Sequence, residues 1–121
     1  MKLKDVTDSS FERDVVRSRG TVVVDFWAPW CGPCLALTPH LERAAEPLAP
    51  ETRVVKMDVD SQPQTPARLR VRGLPVLVAF RDGSEIGRLR GVKNPREVEH
   101  WLRSLSAEQQ LEEIGPPVRL E

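Results

Sequence analysis

The sequence is short of the features that would place it in several common classes. It has no excess of charge, because 18 basic and 18 acidic residues cancel. That removes the electrostatic case for nucleic acid or an anionic membrane as a partner. No apolar run approaches the roughly 18 residues that a membrane span needs, so no membrane association is expected. The opening Met1-Lys2-Leu3-Lys4-Asp5 turns charged too early for a signal-peptide core, and a cytoplasmic location is the expectation. Two cysteines are too few for a disulfide-stapled secreted domain. No dinucleotide-binding G-x-G-x-x-G, no internal repeat and no low-complexity segment is present.

What is there organises itself around Trp27-Ala28-Pro29-Trp30-Cys31-Gly32-Pro33-Cys34, which holds both cysteines. The 121 residues, 40% hydrophobic and 30% charged, suit one globular domain. Leu3–Val6 reads as a short strand. Ser9 and Glu12 have capping-box spacing, which predicts a helix burying Phe11, Val15 and Val16 until Arg19-Gly20 stops it. Thr21–Trp27 is a strand apolar on both faces, hence covered on both. A helix follows from about Cys34 to Ala49, with Leu37, Leu41, Ala44, Ala45 and Leu48 on one side and Pro39 inside it.

Arg53–Val59 is the third strand, and Gln62–Leu69 suits a short helix with Pro63 and Pro66 in its first turn. Pro75–Phe80 is a strand with its proline at the start. Asp82-Gly83 turns it into a charged edge strand, Glu85–Arg90. Asn94-Pro95-Arg96-Glu97 opens a last helix with Val98, Trp101, Leu102 and Leu105 as its apolar stripe. The order β-α-β-α-β-α-β-β-α predicts an α/β fold: a mixed, mostly parallel five-stranded sheet with four helices on its faces. Residues 1–105 form the domain. Residues 106–121 form a polar tail, partly helical through Leu111 and Ile114 or flexible.

Cys31 falls at a helix start, where unpaired amide hydrogens and the helix dipole favour its thiolate. Cys34, one turn further in, is placed to attack Cys31 once Cys31 is tied to a substrate. A zinc site needs about four ligands. His40 lies six residues past Cys34, about 240° around an ideal helix, and His100 falls off the apolar stripe. Both are expected to face solvent, so no metal is expected. Closing so short a loop gains little as a structural disulfide. Two incidental thiols are the third alternative; the two-residue spacing between a strand and a helix points instead to thiol–disulfide chemistry.

Asp25 stands in the middle of a doubly covered strand, where burial disfavours its charge and raises its pKa. It either takes and gives a proton near neutral pH, or reaches water through a bend in the strand or meets a structural partner. Lys56 alternates with Val55 and Met57 and is either Asp25's neighbour or an ordinary edge lysine. Trp30 suits contact with a protein partner, or packs locally.

Asp25-Phe26-Trp27-Ala28-Pro29-Trp30-Cys31-Gly32-Pro33-Cys34, Pro39, Lys56, Gly73-Leu74-Pro75, Asp82-Gly83 and Gly91 together resemble the thioredoxin family over about residues 2 to 105. The resemblance implies the thioredoxin fold and a role for each matching residue. Cys31 would be the nucleophile and Cys34 the resolving cysteine. Asp25 would accept the Cys34 proton, with Lys56 tuning it. Pro75 would be a cis-proline facing the dithiol, and Leu74 would offer its backbone to a substrate strand. Trp30, Gly32, Pro33, Gly91 and Val92 would line the docking surface.

No cofactor would be bound; the redox group would be the Cys31–Cys34 disulfide, and NADPH would act only through a separate thioredoxin reductase. The expected function is general protein-disulfide reduction by a monomer. The rivals are a disulfide oxidant or isomerase, and a non-catalytic binding subunit using the same surface. Gly32-Pro33 resembles the reducing members; oxidants commonly carry a histidine there. Three positions depart from the family pattern: Leu35 for a usual basic residue, Val76 for a common threonine, and Arg70 for a common helix-ending glycine.

Overall fold

A computed structural model describes residues 2–91 and 94–106. Its core is a five-stranded sheet in the order β1-β3-β2-β4-β5. The strands are β1 (Lys4–Asp5), β2 (Thr21–Trp27), β3 (Thr52–Asp58), β4 (Val76–Arg81) and β5 (Ser84–Arg90). β1, β3 and β2 run parallel, whereas β4 and β5 pair antiparallel. The helices are α1 (Gly32–Ala45), α2 (Gln64–Arg68) and α3 (Pro95–Ser104), together with a π-helical turn over Glu12–Val16. The expected order and the mixed five-stranded sheet are therefore present. Among the described residues no helix is long and apolar enough to cross a membrane. Val92 and residues 107–121, with Leu111 and Ile114, lie outside the described residues.

β2 is central because its sequence allows it: all of Thr21–Phe26 is buried. Val22, Val24 and Phe26 join Val55, Met57, Val76 and Val78 on the face covered by the π-helical turn. Val23 joins Leu37, Leu41, Leu77, Val98 and Leu102 on the face covered by α1 and α3. Gly20 precedes β2 at φ +73°, and a Cβ there would meet the Glu51 carbonyl oxygen at 2.5 Å, so only glycine fits. Asp82 and Gly83 both have positive φ, the type I′ geometry that suits a two-residue hairpin. Ile86 is the extra residue where the β4–β5 register shifts. β5 is the expected charged edge. Asn94 Oδ1 accepts from the Glu97 amide at 2.9 Å and caps α3.

Three expectations need correction. The first helix is a π-helical turn with no side-chain cap, because Ser9 and Glu12 do not form the capping box. Thr7 and Ser10 exchange hydrogen bonds instead, amide to hydroxyl in both directions, at 2.9 and 3.0 Å. Val15 is buried, but Phe11 and Val16 are only half-buried. α1 begins two residues earlier than expected and ends at Ala45, followed by a 3-10 turn over Glu46–Leu48. α2 is shorter than expected, and its cap comes from a distant residue. Asp8 accepts from the Gln64 and Thr65 amides at 3.1 and 2.8 Å.

Asp8→Ala will cost about 1 kcal/mol, read as a lower urea midpoint at unchanged slope. An unmoved midpoint would mean that water caps α2 equally well. Arg70, just past α2, sits at φ 56°, where a side chain costs about 1–2 kcal/mol. Glycine would recover that and lose about 0.5–1 kcal/mol in chain entropy. Arg70→Gly should therefore raise the melting temperature by a few degrees; a fall would show that the arginine stabilises the fold through its contacts.

Candidate active site

α1 starts where it does because Cys31 caps it. Cys31 has extended backbone angles, φ −90° and ψ 99°, and its Sγ accepts from the Cys34 amide at 3.2 Å. Pro33 fills the first turn, where it has no amide hydrogen to leave unpaired. The Cys31 amide is tied back to the Ala28 carbonyl at 3.0 Å. Cys31 and Cys34 are joined in a disulfide. Both are buried, Cys31 at 5% exposure and Cys34 at 0%, so an incoming partner reaches Cys31 first. Trp27, Val59 and Leu74 pack against the pair.

Asp25 is fully buried on β2, between Lys56 of β3 and Leu77 of β4. Alternation along the strand puts it on the Val23 face, beneath α1. Neither carboxylate oxygen has a hydrogen-bond partner among the described residues. Burial pushes its pKa from 3.8 up to about 7, against the opposing pull of the Lys56 charge. Lys56 is thus Asp25's neighbour in the sheet. Its ammonium also lies 3.8 Å from Asp5 Oδ1 and 5.0 Å from the centre of the Trp27 ring.

The Leu74–Pro75 bond is cis, as is Ala49–Pro50, which the sequence reading did not anticipate. Pro75 lies across a shallow groove of about 230 Å³ from Pro33 and Ala36 of α1, with Asn94 and Pro95 closing its far side. His40 lines this groove too and is half-buried, with Nδ1 2.8 Å from an Arg43 guanidinium nitrogen. The expectation that His40 faces solvent is corrected: its six-residue offset was measured from Cys34, whereas the groove opens toward α3. His100 is exposed as expected.

Trp30 is 69% exposed and Leu35 50%, the two large apolar side chains left open among the described residues. Trp30 Nε1 donates to Asp60 Oδ2 at 2.8 Å, which fixes the ring beside the dithiol. Asp60 was missed in the sequence, where nothing but its place after a strand could have singled it out. Gly32 is open, with nothing within 4 Å of a built Cβ, and so is Gly91. The exposed rim therefore gathers Trp30, Gly32, Pro33 and Gly91 at the end of the sheet that carries the disulfide. Among the described residues no group of three or more His, Cys, Asp or Glu is placed to hold a metal ion.

The arrangement can pass two electrons between its own sulfur pair and a partner's. Its likeness to known proteins agrees. The thioredoxin family model matches residues 2–104. A thioredoxin of Rhodospirillum rubrum is 40% identical over 102 residues, 84% of this chain and 98% of that protein. A thioredoxin of Mycobacterium bovis is 44% identical over 101 residues, 84% of each chain. One of Rickettsia bellii is 35% identical over 100 residues, 83% of this chain and 95% of its own length.

Proposed function

The chain belongs to the thioredoxin family of thiol–disulfide oxidoreductases, and on that premise we propose that it is a general protein-disulfide reductase. The observation that carries the proposal is the Cys31–Cys34 disulfide at the start of α1, with Cys31 the outer sulfur and a buried Asp25 in the strand behind. In the reduced form the Cys31 thiolate attacks one sulfur of a client disulfide. A mixed disulfide forms, and the first client thiolate leaves. Cys34, its proton passed to Asp25, then attacks Cys31 Sγ. The second client thiolate leaves, and the Cys31–Cys34 bond described above is the product. Two electrons have moved to the client, and its two thiolates take up protons. Lys56 holds the Asp25 charge in check, and the Leu74 backbone beside Pro75 offers a substrate strand its hydrogen bonds. Trp30, Gly32, Pro33 and Gly91 form the surface on which that strand lies, and the family resemblance adds Val92 to it.

The relatives' name supports a separate, flavin-dependent thioredoxin reductase as the electron source, with NADPH consumed there. A reductase of this kind works where thiols are kept reduced, so we place the protein in the cytoplasm, as a monomer. A domain of residues 1–105 with a tail of 106–121 fits the family match. The test is insulin reduction coupled to a reductase and NADPH, together with a redox titration. The expected results are turnover and a potential of about −270 mV, the region of reducing thioredoxins. A potential of about −120 mV, that of a strong oxidant, would overturn the reductase reading in favour of an oxidant or isomerase.

A further inference from the structure

The chain is neutral overall, yet its charges are sorted across the sheet, acidic past the end of β3 and basic beside β5. On one side, β3 ends in Asp58, and Asp60 follows, holding Trp30. On the other side, a shallow open cleft of about 660 Å³ lies between the end of α2 and β5. Arg68, Leu69, Arg70, Glu85, Arg88 and Arg90 line it. Four of the six carry positive charge.

These arginines divide into a strut and a free set. Arg88 is the strut. It grips Glu85 with two nitrogens, at 2.9 and 2.8 Å, and reaches the Leu69 and Arg70 carbonyls at 2.8 and 3.4 Å. Its bidentate grip cancels the one acid in the cleft. Arg68 feels the charge of Asp8, whose carboxylate is committed to the α2 amides. Arg70 and Arg90 are exposed and make no ion pair with any described residue. Arg70 is presented by a backbone in the left-handed region, at φ 56°.

The cleft meets the docking rim at Arg90, beside Gly91. Arg90 pairs with Val76, the residue after Pro75, and Val76 pairs with Phe26 of β2. Arg90 thus stands two strand spacings from Phe26, roughly 10 Å. Gly91 of the rim follows it directly, and Gly73-Leu74 lies three to four residues past Arg70. A polypeptide laid across Pro75 toward β5 meets Arg90 first, and the rest of the cleft lies beyond it.

We propose that this cleft selects clients, by receiving the acidic flank of a polypeptide whose disulfide is presented to Cys31. The inference rests on the reductase reading above and adds a substrate class to it. The preferred client carries two or more Asp or Glu about three to six residues from the target cysteine, a reach of about 3.3 Å per residue. Guanidinium groups favour carboxylates through their paired donors. The opposite charges at β3 penalise the same client bound in the reverse direction, so the sorting also sets orientation.

The test uses three disulfide peptides with one common core and flanks of glutamate, glutamine or lysine. Turnover is followed with the full chain kept reduced by a small dithiol, in low salt and in 0.5 M salt (a Debye length of roughly 4 Å). The glutamate peptide should be preferred over the glutamine peptide about tenfold in kcat/KM at low salt, with the lysine peptide slowest. High salt should erase the preference. The triple variant Arg68→Gln, Arg70→Gln, Arg90→Gln should erase it at low salt too, with the glutamine peptide's rate unchanged. Equal rates for the three peptides, or a preference that survives in the triple variant, would overturn the proposal. A parallel NMR titration of the oxidised protein with disulfide-free glutamate and glutamine peptides separates the two readings. No turnover of any peptide counts against the reductase function, while shifts at Arg70 and Arg90 with the glutamate peptide alone still support the cleft. No shifts there would sink it.

Discussion

Cys31→Ser will lower protein-disulfide turnover by at least about 10³-fold, with the fold intact by circular dichroism. Cys34→Ser will also stop turnover, but differently: it will accumulate one covalently attached client per molecule. The asymmetry follows from position. Cys31 retains 5% exposure at the tip of α1, and Cys34 has none. An incoming disulfide therefore meets Cys31, and a serine there leaves nothing with which to open it. With serine at 34 the first attack still proceeds, but no second thiolate resolves the mixed disulfide. Mass spectrometry of the unreduced variants distinguishes the two. Turnover retained in Cys31→Ser, or covalent clients trapped by that variant through Cys34, would reverse the assigned roles. A Cys31→Ser, Cys34→Ser double variant that still supports the wild-type gene's phenotype would point to the binding-subunit reading instead.

Asp25→Ala will stabilise the oxidised protein at pH 8 by about 2–4 kcal/mol and will make it slower. Burial raises the folded-state pKa of Asp25 from 3.8 to about 7. Between those values the folded protein holds a proton that the unfolded chain has released, so stability falls as pH rises from about 4 to 7. Below that window Asp25 is neutral in both states, and the charge-dependent cost vanishes. Above it the full gap applies, on the order of 4 kcal/mol, and alanine removes it while losing some packing. The wild-type stability should therefore slope downward across the window, and the variant's profile should be flatter there. Lys56 opposes the shift, so Lys56→Met should extend the slope to higher pH. Loss of the proton acceptor proposed above should slow turnover about tenfold or more. An Asp25→Ala protein with the wild-type pH slope and rate would leave Asp25 without the role proposed for it.

Much of the fold was legible because its signals are local. β2 announces itself as a β-branched run bounded by Gly20 and Ala28-Pro29. The Asp82-Gly83 hairpin and the Asn94-Pro95 helix start carry their own turn and cap chemistry. What was not legible depended on partners far along the chain. Asp8 serves α2 more than fifty residues later. Thr7 and Ser10 pair with each other, and the Ser9 hydroxyl meets that of Thr7 at 3.0 Å in place of the expected cap.

The site divides in the same way. Cysteine spacing and a carboxylate in an apolar strand spoke for themselves, and the sheet register places Lys56 beside Asp25. The cis bond at Pro75 came only through family resemblance, since residue spacing carries no information on it. The Asp60 clasp on Trp30 and the place of His40 in the groove are products of tertiary packing. Arg70, a departure from the family pattern, does keep the left-handed backbone that a glycine would adopt.

The position of β2 between β3 and β4 has a consequence for how the molecule opens. Its amides are bonded on both sides and its side chains are covered on both faces. Such a strand exchanges its hydrogens only through the rarest, most global fluctuations, whereas the two-residue β1 and the edge strand β5 can fray locally. The dithiol and Asp25 are anchored to the slowest-exchanging part of the chain. Fluctuations at β5, where the arginines meet solvent, can reshape the proposed client cleft without loosening the sulfurs.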